Sequence, residues 1–153
     1  MSCTQAQRVE SAAYDLMLKG LLDNSVPEKT VKEIGDPASF VVLDAREAPE
    51  YAVSHLQDAQ WVGYDDFSLE RVANLPKDKP ILVYCSVGYR SEKISEKLLA
   101  EGFQEVYNLY GGIFEWMNQE KPLVNSANQP TEKVHAYNQT WGTWLRKGEK
   151  VYE

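Results

Sequence analysis

Between about Gln5 and Leu22, apolar residues recur at helical spacing (Val9, Ala12, Ala13, Leu16, Met17), and the pattern predicts an amphipathic helix laid against the rest of the chain. "DNSVPEKTVKEIGDP" has turn residues at both ends and predicts a short strand or helical turn around Val31 to Ile34. "SFVVLDARE" is a β-branched run ending in charge, as in a buried strand whose carboxyl end meets solvent; "EAPEYAVSHL" then predicts a short helix and "AQWVGY" a second short strand. "DDFSLERVANL" reads as a helix capped by Asp65 or Asp66, "PKDKP" as a turn and "ILVYC" as a strand buried on both faces. "SEKISEKLLAEGF" places Ile94, Leu98 and Leu99 on one helical face with Gly102 as a stop signal; "VYNLYGG" and "GIFEWMNQ" follow as a strand and a last core helix.

Strands alternating with helices at these lengths predict βαβ units and an α/β fold of three layers, with a mostly parallel sheet of about five strands between helices. Binding sites in such folds lie outside the carboxyl ends of the strands. A chain of 153 residues is long enough for one core plus terminal additions. We divide it into an N-terminal helical segment (1–26), a core domain (27–120), and a linker with an aromatic-rich C-terminal extension (121–153), where the composition turns to Asn, Gln, Pro and Thr before Trp141 and Trp144.

Composition narrows the functions. A formal net charge of −7 argues against nucleic acid or an anionic membrane as partner, since both demand a surplus of Lys and Arg. No apolar run approaches the ~18 residues a bilayer span needs, and the opening is too polar for a signal peptide, so the cytoplasm is the expected compartment. Two cysteines, Cys3 and Cys85, with His55 and His135 as the only histidines, give neither a disulfide framework nor a local zinc spacing; no metal and no cofactor are expected.

Cys85 ends the "ILVYC" strand, at the mouth of a turn that runs directly into a helix, with Arg90 directly after the four-residue gap of Ser86 to Tyr89. A free thiol of pKa ≈ 8.5 is only about 3 % ionised at pH 7, and stabilising the thiolate by two pKa units requires about 2.7 kcal/mol. A helix N-terminus contributes ~0.3–1 kcal/mol, and about 2 where partly buried. Loop N–H groups arranged as a nest add further dipoles, and Arg90 adds a permanent charge. Gly88 can take the positive φ that curls the loop until the amides of Ser86, Val87, Gly88, Tyr89, Arg90 and Ser91 converge above the sulfur, with Ser91 available as a helix cap.

"CSVGYRS" resembles the Cys-x-x-Gly-x-Arg-Ser loop of the rhodanese-like sulfurtransferases. "VVLDAREAPEYAVSHLQDAQWV" is similar to that family's Asp-x-Arg strand end and Gly-His-Ile segment, and "LAEGFQEVYNLYGGIFEW" to its closing Gly-Phe…Gly-Gly…Trp. The likeness runs from about Val31 to Met117, with Ser54 standing where the family has glycine before His55. It implies a sulfurtransferase in which Cys85 takes a sulfane sulfur from a small anionic donor such as thiosulfate, carries it as a persulfide, and passes it to a thiol, cyanide or protein acceptor. The amides of Ser86 to Ser91 would hold the terminal sulfur and the donor's oxyanion. Two alternatives stand beside it: a sulfur-carrier or regulatory rhodanese-like module acting on a partner protein, and a phosphatase or arsenate reductase on the same fold. The latter place five residues between Cys and Arg, so the four here favour sulfur.

The remaining candidates carry more than one reading each. Asp44 and Arg46 match the family's Asp-x-Arg pair, either as a charge network beneath the loop or as structure, with Arg46 paired to Glu47 or Glu50. His55 is a general base or, as the resemblance implies, a structural histidine bonded to backbone. Cys3 resolves a persulfide, forms a disulfide with Cys85, or is a passive terminal thiol. Trp141 and Trp144 form a stacking surface for a partner or pack back onto the domain.

Overall fold

The computed structural model describes residues 6–153. Cys3 lies outside them. Helix α1 (Ala12–Leu21) starts where Ser11 accepts a hydrogen bond from the Tyr14 N–H, so it is shorter at its N-terminal end than the periodicity predicts. Residues 8–10, ahead of the cap, bend: Val9 is buried, but Arg8 pairs with Glu28 at 2.7 Å and the Glu10 N–H donates to Glu115, which ties this stretch down in a non-helical form.

Strand β1 (Glu28–Lys29) precedes α2 (Val31–Ile34), which resolves the strand-or-turn ambiguity there: Thr30 and Glu33 form a capping box and close a helical turn. β2 (Val41–Asp44), α3 (Ala48–Val53), β3 (Gln60–Trp61), β4 (Ile81–Tyr84), α4 (Tyr89–Ala100), β5 (Val106–Leu109) and α5 (Gly112–Asn118) follow in the expected order. "DDFSLERVANL" differs from expectation: it makes only a 3₁₀ turn over Leu69–Val72, capped by Ser68. Val72 is its one buried residue, too little apolar surface to hold a full helix, and Asp66 pairs with Arg71 at 3.0 Å instead of capping.

The five strands form one parallel sheet in the order β1-β5-β4-β2-β3. β4 is central, which is why all four of its residues are buried. Its alternate side chains feed two cores. Leu82 and Tyr84 join the side built with Tyr14, Leu18, Ile113 and Phe114, while Ile81 and Val83 join the side built with Ile94, Leu98 and Phe103. The result is the three-layer α/β arrangement that the alternation predicts.

Residues 121–153 are not a bare linker with an appendage. β6 (Leu123–Val124) pairs antiparallel with β7 (Pro130–Thr131), and β8 (Lys133–His135) pairs parallel with β9 (Glu149–Val151), with a short α6 (Gln139–Gly142) between. Val124 and His55 exchange backbone hydrogen bonds at 2.9 and 3.0 Å. Leu123, Val134, Ala136 and Leu145 are buried in the first core, and the Trp144 ring stacks on Tyr14 at 5.4 Å. The polar composition marks surface turns, while a few well-spaced apolar residues anchor the segment. No helix among the described residues is long and apolar enough to cross a membrane.

Candidate functional site

β4 delivers Cys85 to the floor of a pocket of about 370 Å³ beyond the carboxyl end of the sheet. The residue is buried, with 1 % of its surface exposed. Gly88 takes φ 137° and its N–H donates to Cys85 Sγ at 3.1 Å; among the described residues it is the one loop amide that does so. The N–H groups of Tyr89, Arg90 and Ser91 open α4 and have no carbonyl one turn earlier to bond, leaving donors at the pocket's base. The converging set expected from Ser86 to Ser91 is therefore split between one amide on sulfur and a free first turn, with the Ser91 hydroxyl 3.4 Å from Sγ. Ser91 is not the cap; Gly88 holds that place. The Ser91 hydroxyl donates to Asn108 Oδ1 at 2.6 Å, and Asn108 Nδ2 donates to Gly88 O at 3.0 Å, so this fully buried asparagine fixes the loop's curl from the neighbouring strand. The start of α5 fixes its other side, where Ile113 and Phe114 N–H groups donate to the Cys85 and Ser86 carbonyls.

The ion pairs differ from the local expectation. Arg46 is fully buried and pairs neither with Glu47 nor with Glu50: its Nη2 is 2.6 Å from Asp44 Oδ2 and 2.7 Å from the Ser54 carbonyl. Burial lowers the guanidinium's basicity, but the charge of Asp44 and its hydrogen bonds more than reverse that. Tyr84 donates to the same carboxylate at 2.6 Å and accepts from the Leu56 N–H, joining β4 to the network. Glu50 instead makes two 2.9 Å bonds to Arg90, one from each terminal nitrogen, and Arg90 also donates to Ser86 Oγ. Burial pushes the Glu50 carboxyl up, yet the hydrogen bonds and charge of Arg90, with Arg46 behind, hold it below the usual carboxylate range. Arg90 thus reaches the pocket already paired. His55 Nδ1 bonds to the Tyr51 carbonyl and its ring stacks on Tyr51, a backbone-anchoring role.

Four aromatic side chains wall the pocket: Tyr64, Tyr89, Tyr137 and Trp141. Two carboxylates, Glu47 and Asp65, also line it. The Tyr137 ring lies 5.3 Å from the Arg90 guanidinium, and its N–H donates to His135 Nδ1 at 3.0 Å. His135 is buried, and burial together with the charges of Arg46 and Arg90 lowers its pKa against the opposing pull of Glu50. Behind the Tyr89 wall of the pocket, Asp23, Glu92 and Glu96 cluster around the Lys93 ammonium.

The rhodanese-like domain model matches residues 26–119 of the chain. The chain belongs to the rhodanese-like domain family. A tRNA uridine(34) hydroxylase of Pectobacterium carotovorum is 35 % identical over 96 residues, 60 % of this chain and 27 % of that protein. The thiosulfate sulfurtransferase GlpE of Coxiella burnetii is 32 % identical over 84 residues, 55 % of this chain and 78 % of that one. The chain thus spans about a quarter of the length of the hydroxylase and most of the sulfurtransferase. Among solved structures, the rhodanese-like domain of an Anabaena protein superimposes with a TM-score of 0.58 at 25 % identity, covering 65 % of this chain and 79 % of that one. A Bacillus halodurans protein reaches 0.61 at 23 % identity, covering 74 % and 85 %, a likeness of fold. The rhodanese-like match stops short of residues 121–153, so Tyr137, Trp141 and His135 lie beyond it. Their part in the pocket had no local signal; the aromatic clustering of the tail was the only hint, and it did not say which surface the rings face.

Proposed function

We propose that the chain is a sulfurtransferase that carries sulfane sulfur on Cys85. In this reading the Cys85 thiolate attacks the outer sulfur of a donor such as thiosulfate, the donor's S–S bond breaks and sulfite leaves with the bonding pair. A nucleophilic acceptor then attacks the terminal sulfur of the persulfide, and the Cys85 thiolate leaves with that pair, so no net oxidant or reductant is needed. The observation that carries the reading is the loop: Sγ at the floor of a pocket, met by the Gly88 N–H at 3.1 Å and facing the unbonded first turn of α4. Preorganised dipoles of this kind stabilise charge where it develops. The likeness to a protein named thiosulfate sulfurtransferase supports the same chemistry. The four-residue gap between Cys85 and Arg90 favours it over phosphoryl or arsenate chemistry.

The test is thiosulfate-to-cyanide transfer by the full chain beside Cys85→Ser, with intact mass after exposure to donor. We expect uptake of one sulfur atom by the parent chain and loss of both uptake and turnover in the variant. Undiminished transfer by Cys85→Ser would sink the proposal, and Cys85-dependent hydrolysis of an aryl phosphate would replace it.

A further inference from the structure

The free first turn of α4 offers donors to a small anion beside Cys85, but the walls of the pocket bring no unpaired cation. Arg90 is held by Glu50 through two 2.9 Å bonds, and the nearby Lys93, whose ammonium lies 5.5 Å from the Tyr89 ring, is held by Asp23 at 2.8 Å and Glu96 at 3.4 Å. Glu47 and Asp65 line the cavity, Asp65 at an exposed position, and among the described residues neither carboxylate has a Lys or Arg partner. The walls are four aromatic rings, and a volume of about 370 Å³ is in the range that holds organic ligands. A small inorganic anion beside Cys85 would fill only part of it.

Two of the four rings come from outside the matched domain. Tyr137 sits at φ 72°, in the left-handed region a non-glycine residue rarely adopts, and the His135 ring nitrogen holds its N–H there. The residue is half exposed, at 49 %, although its ring is anchored over Arg90. The C-terminal segment therefore holds an aromatic ring over Arg90, in the pocket that Cys85 also lines, at a local conformational cost, where a core-packing role would bury it.

Aromatic faces and unpaired carboxylates together attract an organic cation, through the ring quadrupole and through Coulomb attraction. We propose that the acceptor is a small organic thiol bearing a protonated amine, with Tyr64, Tyr89, Tyr137 and Trp141 seating its body and Glu47 and Asp65 its ammonium. This rests on the sulfurtransferase reading above. The acceptor's thiolate attacks the outer sulfur of protonated Cys85 persulfide; the bond between that sulfur and Cys85 Sγ breaks, the acceptor leaves as its own hydropersulfide, and the Cys85 thiolate is restored. Sulfur, charge and electrons balance without a further reagent. Tyr137 and Trp141 are thereby specificity residues supplied by the extension.

The experiment preloads the full chain with sulfur from excess thiosulfate, removes the donor, and follows single-turnover transfer to cysteamine, 2-mercaptoethanol and thioglycolate at one pH. Each rate is divided by that thiol's rate with a free alkyl persulfide, which removes intrinsic reactivity. We expect cysteamine to exceed thioglycolate by about tenfold, with 2-mercaptoethanol between them. The preference should shrink to about threefold or less in Glu47→Gln/Asp65→Asn, whose changes lie in the solvent-reached lining, and separately in Tyr137→Ala/Trp141→Leu. Equal or reversed preference in the parent chain, or a preference unchanged in both variants, overturns the proposal. A chain that takes up no sulfur overturns the sulfurtransferase reading itself, which the loading step reveals before any acceptor is added.

Discussion

Glu50→Gln separates the two jobs of the Glu50–Arg90 pair. The carboxylate side chain is almost fully enclosed, the guanidinium is 14 % exposed, and the two 2.9 Å bonds between them are both charge-assisted. Removing one partner of a fully buried ion pair costs ~3–5 kcal/mol. Here Arg90 touches the pocket, water can reach it, and the glutamine oxygen still accepts one bond, so the loss falls to about 2 kcal/mol. For a chain of this size that is a fall in Tm of about 4–8 °C. The chemical consequence has the opposite sign. With the carboxylate gone, the positive charge of Arg90 is no longer compensated, and the sulfur of Cys85 feels it. Alkylation by iodoacetamide at a fixed, mildly acidic pH, in a Cys3→Ser background so that only Cys85 reports, should accelerate about three- to tenfold, equivalent to ~0.7–1.4 kcal/mol. KM for thiosulfate should fall in parallel. The pH dependence supplies a third reading. The Glu50 carboxyl is held below its ordinary value, so its contribution is present above the unfolded carboxyl pKa of about 4.3 and is lost as pH falls through the lower folded value. The stability gap between parent and variant should therefore close in acid. A folded Glu50→Gln protein whose alkylation rate is unchanged or slower would refute the idea that Glu50 restrains the field of Arg90.

Gly112 sits at φ 60°, and a methyl group there would lie 2.4 Å from the Ser86 carbonyl oxygen and 2.6 Å from that of Cys85; Gly112→Ala should cost at least about 3 kcal/mol in urea unfolding and displace the loop enough to abolish sulfur uptake. Tyr84→Phe strips a donor from Asp44 and an acceptor from the Leu56 N–H, so unfolding should be easier by about 1–3 kcal/mol while the volume of the core is kept. His135 is favoured neutral in the fold, so the unfolded chain binds its proton first: stability should be full above about pH 6.5 and decline below it, and His135→Gln, measured by thermal unfolding from about pH 7 to 5, should flatten that slope.

Local signals determined a large part of this protein. The all-buried "ILVY" run needed a central strand, the periodicity of "SEKISEKLLAEG" needed a helix after it, and together they place Cys85 at a strand end facing a helix start whatever the rest of the chain does. Gly88 was legible for the same reason, because a tight turn into a helix demands a φ that side chains oppose. Where nearest-neighbour reasoning extends to charge it fails: Arg46 turns inward to Asp44, two residues back, and leaves Glu50 to Arg90, forty residues on. Which acid meets which base depends on the distance between β2, α3 and α4 after packing, and sequence spacing carries no such distance. Asn108, His135, Tyr137 and Trp141 were opaque on the same ground, since each acts on Cys85's surroundings across a sheet or from the C-terminal segment. Sequence by itself placed Cys85 at a strand end and shaped its turn, because both are local conformational facts. Only the tertiary structure decided the character of the pocket around them, because charge compensation and aromatic enclosure are set by which distant surfaces the folded chain brings into contact.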